Sequence, residues 1–428
     1  MGNDGGAARP RAAVVLTGSE LVTGVIADAN GPWLAQELTR LGLEVAQLLV
    51  VGDRPEDLAA ALEHAARGCA LVVTSGGLGP TADDLTAEVV AGFAGVELEF
   101  DAALHERIAA IVAGFPRRHQ DTAARDAGTR KQALVPRGAT VLEPVGTAPG
   151  LVVRPVGGPL VVVLPGPPRE LTGMWPAVLA AAPVAELLAG VPPAATRLLR
   201  YYGLPEAEIA ATLRALEASS DLSGVEITTC LRHSELEVDL RAYPGAEERL
   251  DGLADALAAR HADRLVSADG TTTDELLARA LLDAGLAVAT AESCTGGLLA
   301  GRLVDRAGSS AYVLGGIVSY SNAAKTALLG VPAALIDEHG AVSAPVARAM
   351  ADGARAALGA SVGIGITGVA GPEGGTPDKP VGLVHLCATT DAGRVVAREV
   401  RLPGSRADVR DRAVDAGMHL LLRAATAP

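Results

Sequence analysis

Short apolar runs alternate with helical patterns over roughly the first 170 residues, and this alternation is the strongest constraint on the fold. The predicted strands are 12–18, 45–51 and 70–75, and the predicted helices between them are 27–42 and 55–67. Strands that are apolar along their whole length are expected where both faces of a parallel sheet are covered. The sequence therefore predicts βαβ units and a mostly parallel sheet.

Two polar, glycine-containing loops follow strands of this predicted sheet, GSELVTG at 18–24 and SGGLGPTADD at 75–84. Ligands of such sheets bind beyond the carboxyl ends of the strands. The glycines could serve only a tight turn, but glycines with a threonine and two aspartates suit a loop that holds a phosphate and a metal. The residues predicted for this phosphate and metal loop are Glu20, Gly76, Gly77, Gly79, Thr81, Asp83 and Asp84.

The pattern changes after a segment rich in proline and alanine at 176–195, which marks a predicted boundary. The following residues read as strand, helix, strand, strand and helix, which is typical of a small α+β module. Strands and helices alternate again from residue 272 to the end. The prediction is an α/β domain over 11–175, an α+β module over 196–266 and a second α/β domain over 272–424.

Charge and cysteine content restrict the function. The net charge is −14, which argues against direct nucleic-acid binding and against an anionic-membrane surface. The four cysteines are widely spaced and favour a reducing cytoplasm over disulfides or a zinc site. The first residues lack the apolar stretch of a signal peptide, and the alanine-rich stretch 177–195 contains Glu186 and three prolines. We expect a cytoplasmic protein without a membrane span.

The segment ESCTGG follows a predicted strand at 286–290 and opens a predicted helix. A helix start after a strand presents free backbone N–H groups, which can bind an anion. Alternatively, Ser293 or Thr295 only caps that helix. The sequence leaves both interpretations open.

The segment GGIVSYSNAAK, at 315–325, predicts a strand that ends near Tyr320, a turn at Asn322 and Lys325 in the first turn of a helix. Serine, tyrosine and lysine side chains can converge on one pocket, and a serine activated by a lysine can hydrolyse amides or esters. The lysine would have to be neutral, so burial away from carboxylates would have to lower its pKa from about 10.4. The alternative is that Lys325 is a solvated helix residue.

The string GIGITG at 363–368 matches a dinucleotide-binding pattern, but no helix is predicted after it. We interpret it as a strand that runs into a Gly-Pro loop, with Thr367 at the mouth of a ligand site. Arg406 and Arg410, at the start of the last predicted helix, could bind a phosphate together with the helix N-terminus. Solvation at the surface is the alternative for both arginines.

Six strings over 272–424 resemble the C-terminal domain of the CinA (competence/damage-inducible protein A) family: AESCTGG, AGSSAY, VSYSNAAK, GAVS, ITGVAGPEGGTPDKPVG and GSR. That domain is similar to nicotinamide mononucleotide deamidases of the PncC type. The strings TGSELVTG, SGGLGPTADDLT, GTAPG and LPGPPRE resemble the N-terminal domain of the same family, which is similar to molybdopterin-binding folds. The middle module lies where the family carries a KH-like domain.

The resemblance implies hydrolysis of nicotinamide mononucleotide to nicotinic acid mononucleotide and ammonia, without a cofactor. By motif, Ser310 is the first choice as nucleophile, Lys325 is the general base and Tyr320 orients or stabilises. Ser293 is the second candidate, as nucleophile or as a phosphate or oxyanion contact. The residues implied to contact the substrate are Glu292, Cys294, Thr295, Gly296, Gly297, Asn322, Thr367, Gly368, Gly371 and Arg406.

The same resemblance leaves two other functions open. One is hydrolysis of ADP-ribose in the N-terminal domain, with Mg²⁺ held by Asp83 and Asp84. The other is a non-catalytic role in competence or DNA damage. A homodimer is expected.

The sequence departs from the family pattern at three places. Gly404-Ser405-Arg406 stands where the family has Gly-Asp-Arg. AGTRKQA at 127–133 lacks the usual asparagines, and LEPVG before GTAPG lacks another. The last two departures lie in the N-terminal domain, so they weigh against the ADP-ribose activity more than against the deamidase.

Overall fold

The computed structural model of the protein describes residues 9–114 and 122–426. The chain divides into two compact units, Met1–Ala194 and Ala195–Pro428. Most of the segment in which a signal peptide was sought lies outside the described residues.

The first unit is built on a six-stranded sheet with the order β2-β1-β3-β8-β7-β6. Neighbours among β1, β2, β3 and β8 run parallel, whereas the pairs β6–β7 and β7–β8 are antiparallel. The strands, with a separate two-stranded ribbon of β4 and β5, are β1 (Arg11–Thr17), β2 (Glu44–Val51), β3 (Leu71–Ser75), β4 (Leu98–Phe100), β5 (Leu134–Pro136), β6 (Thr140–Leu142), β7 (Gly150–Val153) and β8 (Leu160–Leu164). The helices are α1 (Ser19–Val22), α2 (Asn30–Arg40), α3 (Pro55–Ala65), α4 (Thr86–Ala94), α5 (Ala102–Ala113), α6 (Thr122–Gln132), α7 (Pro168–Ala180) and α8 (Ala182–Leu188).

Both faces of this sheet are covered, as the continuous apolar runs predicted. Along β1, Val14 and Leu16 pack into the core that also holds α2 and α7, whereas Ala13 and Val15 pack into the core on the side of α3. The predicted α/β class of the N-terminal domain is thereby confirmed.

The predicted end of this domain at residue 175 is too early. Helices α7 and α8 continue through the predicted boundary, and Trp175, Val178 and Val184 are buried in the core beside α2. The alanines and prolines of this segment thus belong to packed helices. Among the described residues no single helix is long and apolar enough to cross a bilayer, and the α7–α8 pair, which together has that length and composition, is bent by 72°.

The second unit begins with a small module whose four-stranded antiparallel sheet has the order β10-β11-β9-β12. Its elements are β9 (Ala195–Tyr202), α9 (Glu206–Ser219), β10 (Val225–Arg232), β11 (Glu235–Ala242), α10 (Glu247–Arg260) and β12 (Leu265–Ser267). The module has a hydrophobic core of its own, formed by residues such as Leu199, Ile209 and Leu253. The predicted α+β order is confirmed, with the short β12 in addition.

The rest of the second unit is built on a five-stranded sheet with the order β14-β13-β15-β16-β17. Strands β14, β13 and β15 run parallel, and β16 and β17 are antiparallel additions. The strands are β13 (Val288–Glu292), β14 (Val313–Val318), β15 (Val362–Gly368), β16 (Leu383–Thr390) and β17 (Val395–Arg401). The helices are α11 (Thr273–Asp283), α12 (Leu298–Val304), α13 (Asn322–Leu329), α14 (Ala333–His339), α15 (Ala344–Leu358) and α16 (Arg406–Thr426), with a 3₁₀ turn at Ser309–Ala311.

Hydrophobic cores lie on both faces of this sheet. Helices α11, α12 and α16 cover one face, and α13, α14 and α15 cover the other. The string at 363–368 is part of β15, as predicted, and no helix follows it directly. The carboxyl ends of β13, β14 and β15 meet at one edge, where loops from both layers converge.

Candidate active site

A lysine and a serine meet below the surface at the carboxyl edge of the C-terminal sheet. Ser293 directly follows β13, and Lys325 lies in the first turn of α13 with only 1% of its surface exposed. The Nζ atom of Lys325 lies 3.0 Å from Oγ of Ser293. It also contacts the backbone carbonyl oxygens of Ser319 at 2.9 Å and Tyr320 at 3.3 Å.

Burial shifts the protonation equilibrium of Lys325 toward the neutral amine. Burial lowers its pKa, and its hydrogen-bond partners in the described part of the chain are all uncharged oxygens. A neutral amine has two N–H groups and one lone pair. When the amine is neutral, its two N–H groups can donate to the two carbonyl oxygens, and the lone pair is then left to accept from the hydroxyl of Ser293. This is the arrangement that a general base requires.

The start of α13 places the lysine. Ser321 caps the helix, because its Oγ accepts the N–H of Ala324 at 3.1 Å. Lys325, one residue further along, lies on the buried side of the helix. Asn322 is the exposed first residue of the helix, so its predicted substrate contact stays a prediction.

Glu292, not Ser293 or Thr295, caps helix α12. Its fully buried carboxylate accepts the N–H groups of Gly297 at 2.9 Å, Leu299 at 3.1 Å and Ala300 at 2.8 Å. These N–H groups are therefore occupied by the protein itself, and the expectation that they bind an anion is wrong. The carboxylate of Glu292 is likewise taken up by these hydrogen bonds, which argues against its predicted contact with substrate.

The turn between Glu292 and α12 depends on two glycines. Gly296 and Gly297 have φ values of 62° and 95°, a left-handed region that favours glycine. Cys294 packs in the core, where burial raises the pKa of its thiol to about 11, and its predicted contact with substrate stays a prediction. The hydroxyl of Thr295 is buried and has no hydrogen-bond partner among the described residues.

Three further predicted residues meet above the sheet edge. One N–H group of Arg406 donates to the carbonyl oxygen of Gly371 at 2.7 Å, and another donates to the hydroxyl of Tyr320 at 2.9 Å. Tyr320 is 62% exposed, so this group faces solvent. Thr367 is buried and donates to the carbonyl oxygen of Ala341 at 2.8 Å, and Gly368 ends the same strand.

Ser310 lies at the opposite end of the sheet from Lys325. It is an exposed residue of the 3₁₀ turn that precedes β14, whereas Lys325 contacts residues that follow β14. Because β13 and β14 are parallel, the whole length of a strand separates Ser310 from Ser293. The predicted pairing of Ser310 with Lys325 within one chain is therefore wrong.

A carboxylate from the following helix binds the loop at 404–406. Asp408 accepts hydrogen bonds from the backbone N–H and the hydroxyl of Ser405, both at 2.7 Å. Gly404 has a φ of 112° and passes so close that a Cβ atom there would lie 2.7 Å from Asp408. The departure from the family pattern thus leaves Arg406 at the start of a capped helix.

The predicted N-terminal loop lines a cavity of about 550 Å³ beyond the carboxyl ends of β1, β3 and β8. The sequence did not predict two polar residues in its wall. Asp53 accepts from Thr17 at 3.1 Å and from the N–H of Ser19 at 2.8 Å, and Asn30 donates to Ser75 at 3.0 Å. The predicted residues that line this cavity are Glu20, Gly76, Gly77, Gly79, Asp83 and Asp84.

Thr81 organises the two aspartates of this loop. Its hydroxyl lies 2.5 Å from one oxygen of each carboxylate, and it lowers the pKa of Asp83. Among the described residues no group of three or more His, Cys, Asp or Glu side chains is placed to hold a metal ion. Two ionised carboxylates fit Mg²⁺ only if water and substrate phosphate oxygens complete its shell, which is a common arrangement for this ion.

Two family models match the chain. The CinA C-terminal domain matches residues 270–425, and the Probable molybdopterin binding domain matches residues 13–202. A CinA-like protein of Mycolicibacterium vanbaalenii is 52% identical over 420 residues, which cover 97% of this chain and 99% of the relative. A CinA-like protein of Mycobacterium tuberculosis is 51% identical over 420 residues, which cover 96% of this chain and 97% of that relative.

Solved structures also resemble a part of this chain. The competence/damage inducible protein CihA of Agrobacterium tumefaciens is 44% identical, covers 35% of this chain and 93% of its own, and has a TM-score of 0.34. A CinA superfamily protein of Klebsiella pneumoniae is 36% identical, covers 36% of this chain and 98% of its own, and has a TM-score of 0.35. The family models and the full-length relatives agree with each other, and this chain belongs to the CinA family.

Proposed function

We propose that the C-terminal domain hydrolyses the carboxamide of nicotinamide mononucleotide and gives nicotinic acid mononucleotide and ammonia. The observation that supports this most is the contact of 3.0 Å between Nζ of Lys325 and Oγ of Ser293. A buried amine whose lone pair can face a serine hydroxyl is suited to acyl transfer. The choice of amide comes from the family resemblance.

In the first step, Oγ of Ser293 attacks the carboxamide carbon while its proton moves to the neutral amine of Lys325. The C–N bond then breaks, and Lys325 returns the proton to the departing nitrogen. Ammonia leaves, and the pyridine carbonyl stays bound to Ser293 as an ester.

In the second step, a water molecule gives a proton to Lys325 and attacks the ester carbon. The bond to Oγ of Ser293 breaks, and the serine takes the proton back. The balance is one amide and one water consumed, and one carboxylic acid and one ammonia released. Ser293 and Lys325 end in their starting states.

We expect Arg406 and Tyr320 to hold the nucleotide end of the substrate. The guanidinium of Arg406 lies at the exposed rim, where two of its N–H groups already bind Gly371 and Tyr320. An arginine presents five N–H donors in all, so others are left for phosphate oxygens. Loss of the Arg406 charge should therefore weaken binding of the nucleotide more than the chemical step.

The test is an assay of the purified full chain with nicotinamide mononucleotide, in which ammonia and nicotinic acid mononucleotide are both measured. We expect equal amounts of the two products, and we expect a chelator of divalent metals to leave the rate unchanged. Failure to form either product at neutral and alkaline pH would contradict the proposed function.

The N-terminal cavity supports a second activity, the hydrolysis of ADP-ribose. Its volume of about 550 Å³ lies within the usual range of small-molecule sites, about 300–1,000 Å³. Asp83 and Asp84 would hold Mg²⁺, which when bound neutralises charge on phosphate oxygens. Thr81 keeps both carboxylates turned to one side of the loop.

Chromatography of ADP-ribose reactions tests this second activity. We expect AMP and ribose 5-phosphate to form only with added Mg²⁺, and Asp84→Asn to reduce the rate. Glu63→Gln, a change at an exposed residue of α3, is the matched control and should keep the rate. Turnover that resists a chelator would remove the metal from the proposal.

A further inference from the structure

Arg410 binds the turn that carries Ser293. It lies on α16, half-buried, and its Nε donates to the carbonyl oxygen of Cys294 at 3.2 Å. Its Nη2 donates to the carbonyl oxygen of Thr295 at 3.1 Å. One guanidinium thus holds the carbonyl oxygens of the two residues that follow the proposed nucleophile.

These two hydrogen bonds add to the backbone restraints on the turn, in which the N–H of Gly296 donates to the carbonyl oxygen of Ser293 at 3.2 Å. Upstream, the N–H of Ser293 donates to the carbonyl oxygen of Ile366 in β15 at 3.0 Å. Downstream, Glu292 binds the N–H groups at the start of α12. Between these anchors lie Cys294, Thr295 and Gly296, and glycine gives the backbone more freedom than other residues. Arg410 supplies an anchor from a different helix to this middle part.

The geometry requires an arginine. Two carbonyl oxygens in successive peptides are reached by two N–H groups of one planar fork, which a lysine ammonium cannot reproduce with the same reach. The fork passes close to Gly296, because a Cβ atom there would lie at a contact distance of 3.6 Å from Nη2 of Arg410. A lysine at position 410 would keep the charge but lose the paired contact.

We infer that Arg410 is a positioning residue that sets the direction of Oγ of Ser293 toward Lys325. The inference rests on the proposed deamidase function for its effect on rate, but not for its effect on structure. This positioning role differs from the phosphate contact that the sequence suggested for Arg410. A phosphate contact would act on substrate binding, whereas a positioning residue acts on the chemical step.

The first experiment compares Arg410→Ala with wild type on two substrates, nicotinamide mononucleotide and the phosphate-free nicotinamide riboside. We expect kcat to fall about 100-fold on both, because a misplacement near 1 Å costs about that much, and KM to change little. Arg410→Lys should not restore the rate, and added guanidinium should restore part of it. Arg423→Ala, at an exposed position of the same helix, is the control and should behave like wild type.

A rise in KM for the mononucleotide alone, with kcat unchanged, would assign Arg410 to the phosphate and overturn the inference. A crystal structure of Arg410→Ala gives a readout that does not need activity. We expect the distance from Nζ of Lys325 to Oγ of Ser293 to lengthen beyond hydrogen-bond reach. If it stays at 3.0 Å, the positioning role is wrong, whether or not the wild-type chain releases ammonia.

Discussion

Lys325 reaches across from α13 to Ser293 at the end of β13, and its Nζ lies 3.0 Å from the serine oxygen. The two residues are 32 positions apart in the chain, and the parallel pairing of β13 with β14 brings them together. A serine that follows one strand and a lysine that follows its neighbour are therefore held by the sheet itself. The predictions below follow from this contact and from the groups that support it.

Replacing the two candidate serines separates the two possible nucleophiles. Ser293→Ala should abolish deamidase activity, with a loss of at least about 1,000-fold, because the attacking oxygen is removed. Ser310→Ala, at the far end of β14, should retain activity within a few-fold. The rate of ammonia release measures both, and circular dichroism checks the fold. The reverse ranking would restore Ser310, which then would have to reach the site in some other way.

The rate should rise with pH as Lys325 loses its proton. Burial lowers the pKa of this lysine, so its active neutral form is populated at lower pH than for an exposed lysine. The midpoint of kcat against pH is expected below about 10.4, the value for an exposed lysine. Lys325→Arg, which stays charged, should be inactive over the whole range. A rate that falls with rising pH would exclude the neutral amine as base.

The same lysine links stability to pH. Its folded pKa is lower than its unfolded pKa, so the unfolded state binds more protons between the two values, and stability rises with pH in that window. Lys325→Met removes this effect. The melting temperature of wild type minus that of Lys325→Met should therefore increase from neutral to alkaline pH. A constant difference would mean that burial does not perturb this lysine.

The carboxylate of Glu292 should contribute strongly to folding. It accepts N–H groups from three residues at the start of α12 and lies close to the hydroxyl of Thr290, at 3.1 Å. Glu292→Ala leaves these buried donors without a partner, at about 1–3 kcal/mol each, so we expect a loss of at least about 3 kcal/mol. Urea denaturation measures it. Glu217→Ala, at an exposed site of α9, should stay within about 0.5 kcal/mol.

Sequence patterns predicted most of the elements because those patterns are local. The apolar run of β15, for example, is visible in the sequence itself and forms a strand as predicted. The helices α7 and α8 were not predicted because a segment rich in alanine and proline resembles a linker. In the structure, Trp175 of α7 and Val184 of α8 are buried in the core and hold both helices against the domain.

The candidate site was harder to predict because its contacts depend on strand order. The sequence indicates that Lys325 could meet a serine, but not which one. Ser293 and Ser310 both lie in polar loops beside strands, and only the parallel direction of β13 and β14 puts Ser293 at the right edge. Arg410 could be read only as a charged residue near a helix start, since its partners Cys294 and Thr295 lie more than 100 positions away.

A buried carboxylate joins the middle module to the C-terminal domain. Glu235 of β11 lies 3.1 Å from Nε2 of His419 on α16 and 3.3 Å from the guanidinium of Arg200. Burial alone would raise the pKa of Glu235, but hydrogen bonds from His419 and Thr273, with the charge of Arg200, bring it below its usual value. The ionised carboxylate is therefore favoured in the folded state.

Glu235→Gln should lower stability at neutral pH by about 1–3 kcal/mol, because a charged partner of His419 and Arg200 is lost. The contribution of an acid with a lowered pKa is present above the unfolded value, about 4.3, and disappears as pH falls through the folded value. Urea denaturation at a series of pH values should thus show the variant approaching wild type on acidification. Glu217→Gln is the exposed control and should follow wild type throughout. If Glu235→Gln and wild type still differ in free energy of unfolding at acidic pH, packing and not the charge of Glu235 accounts for the stabilisation.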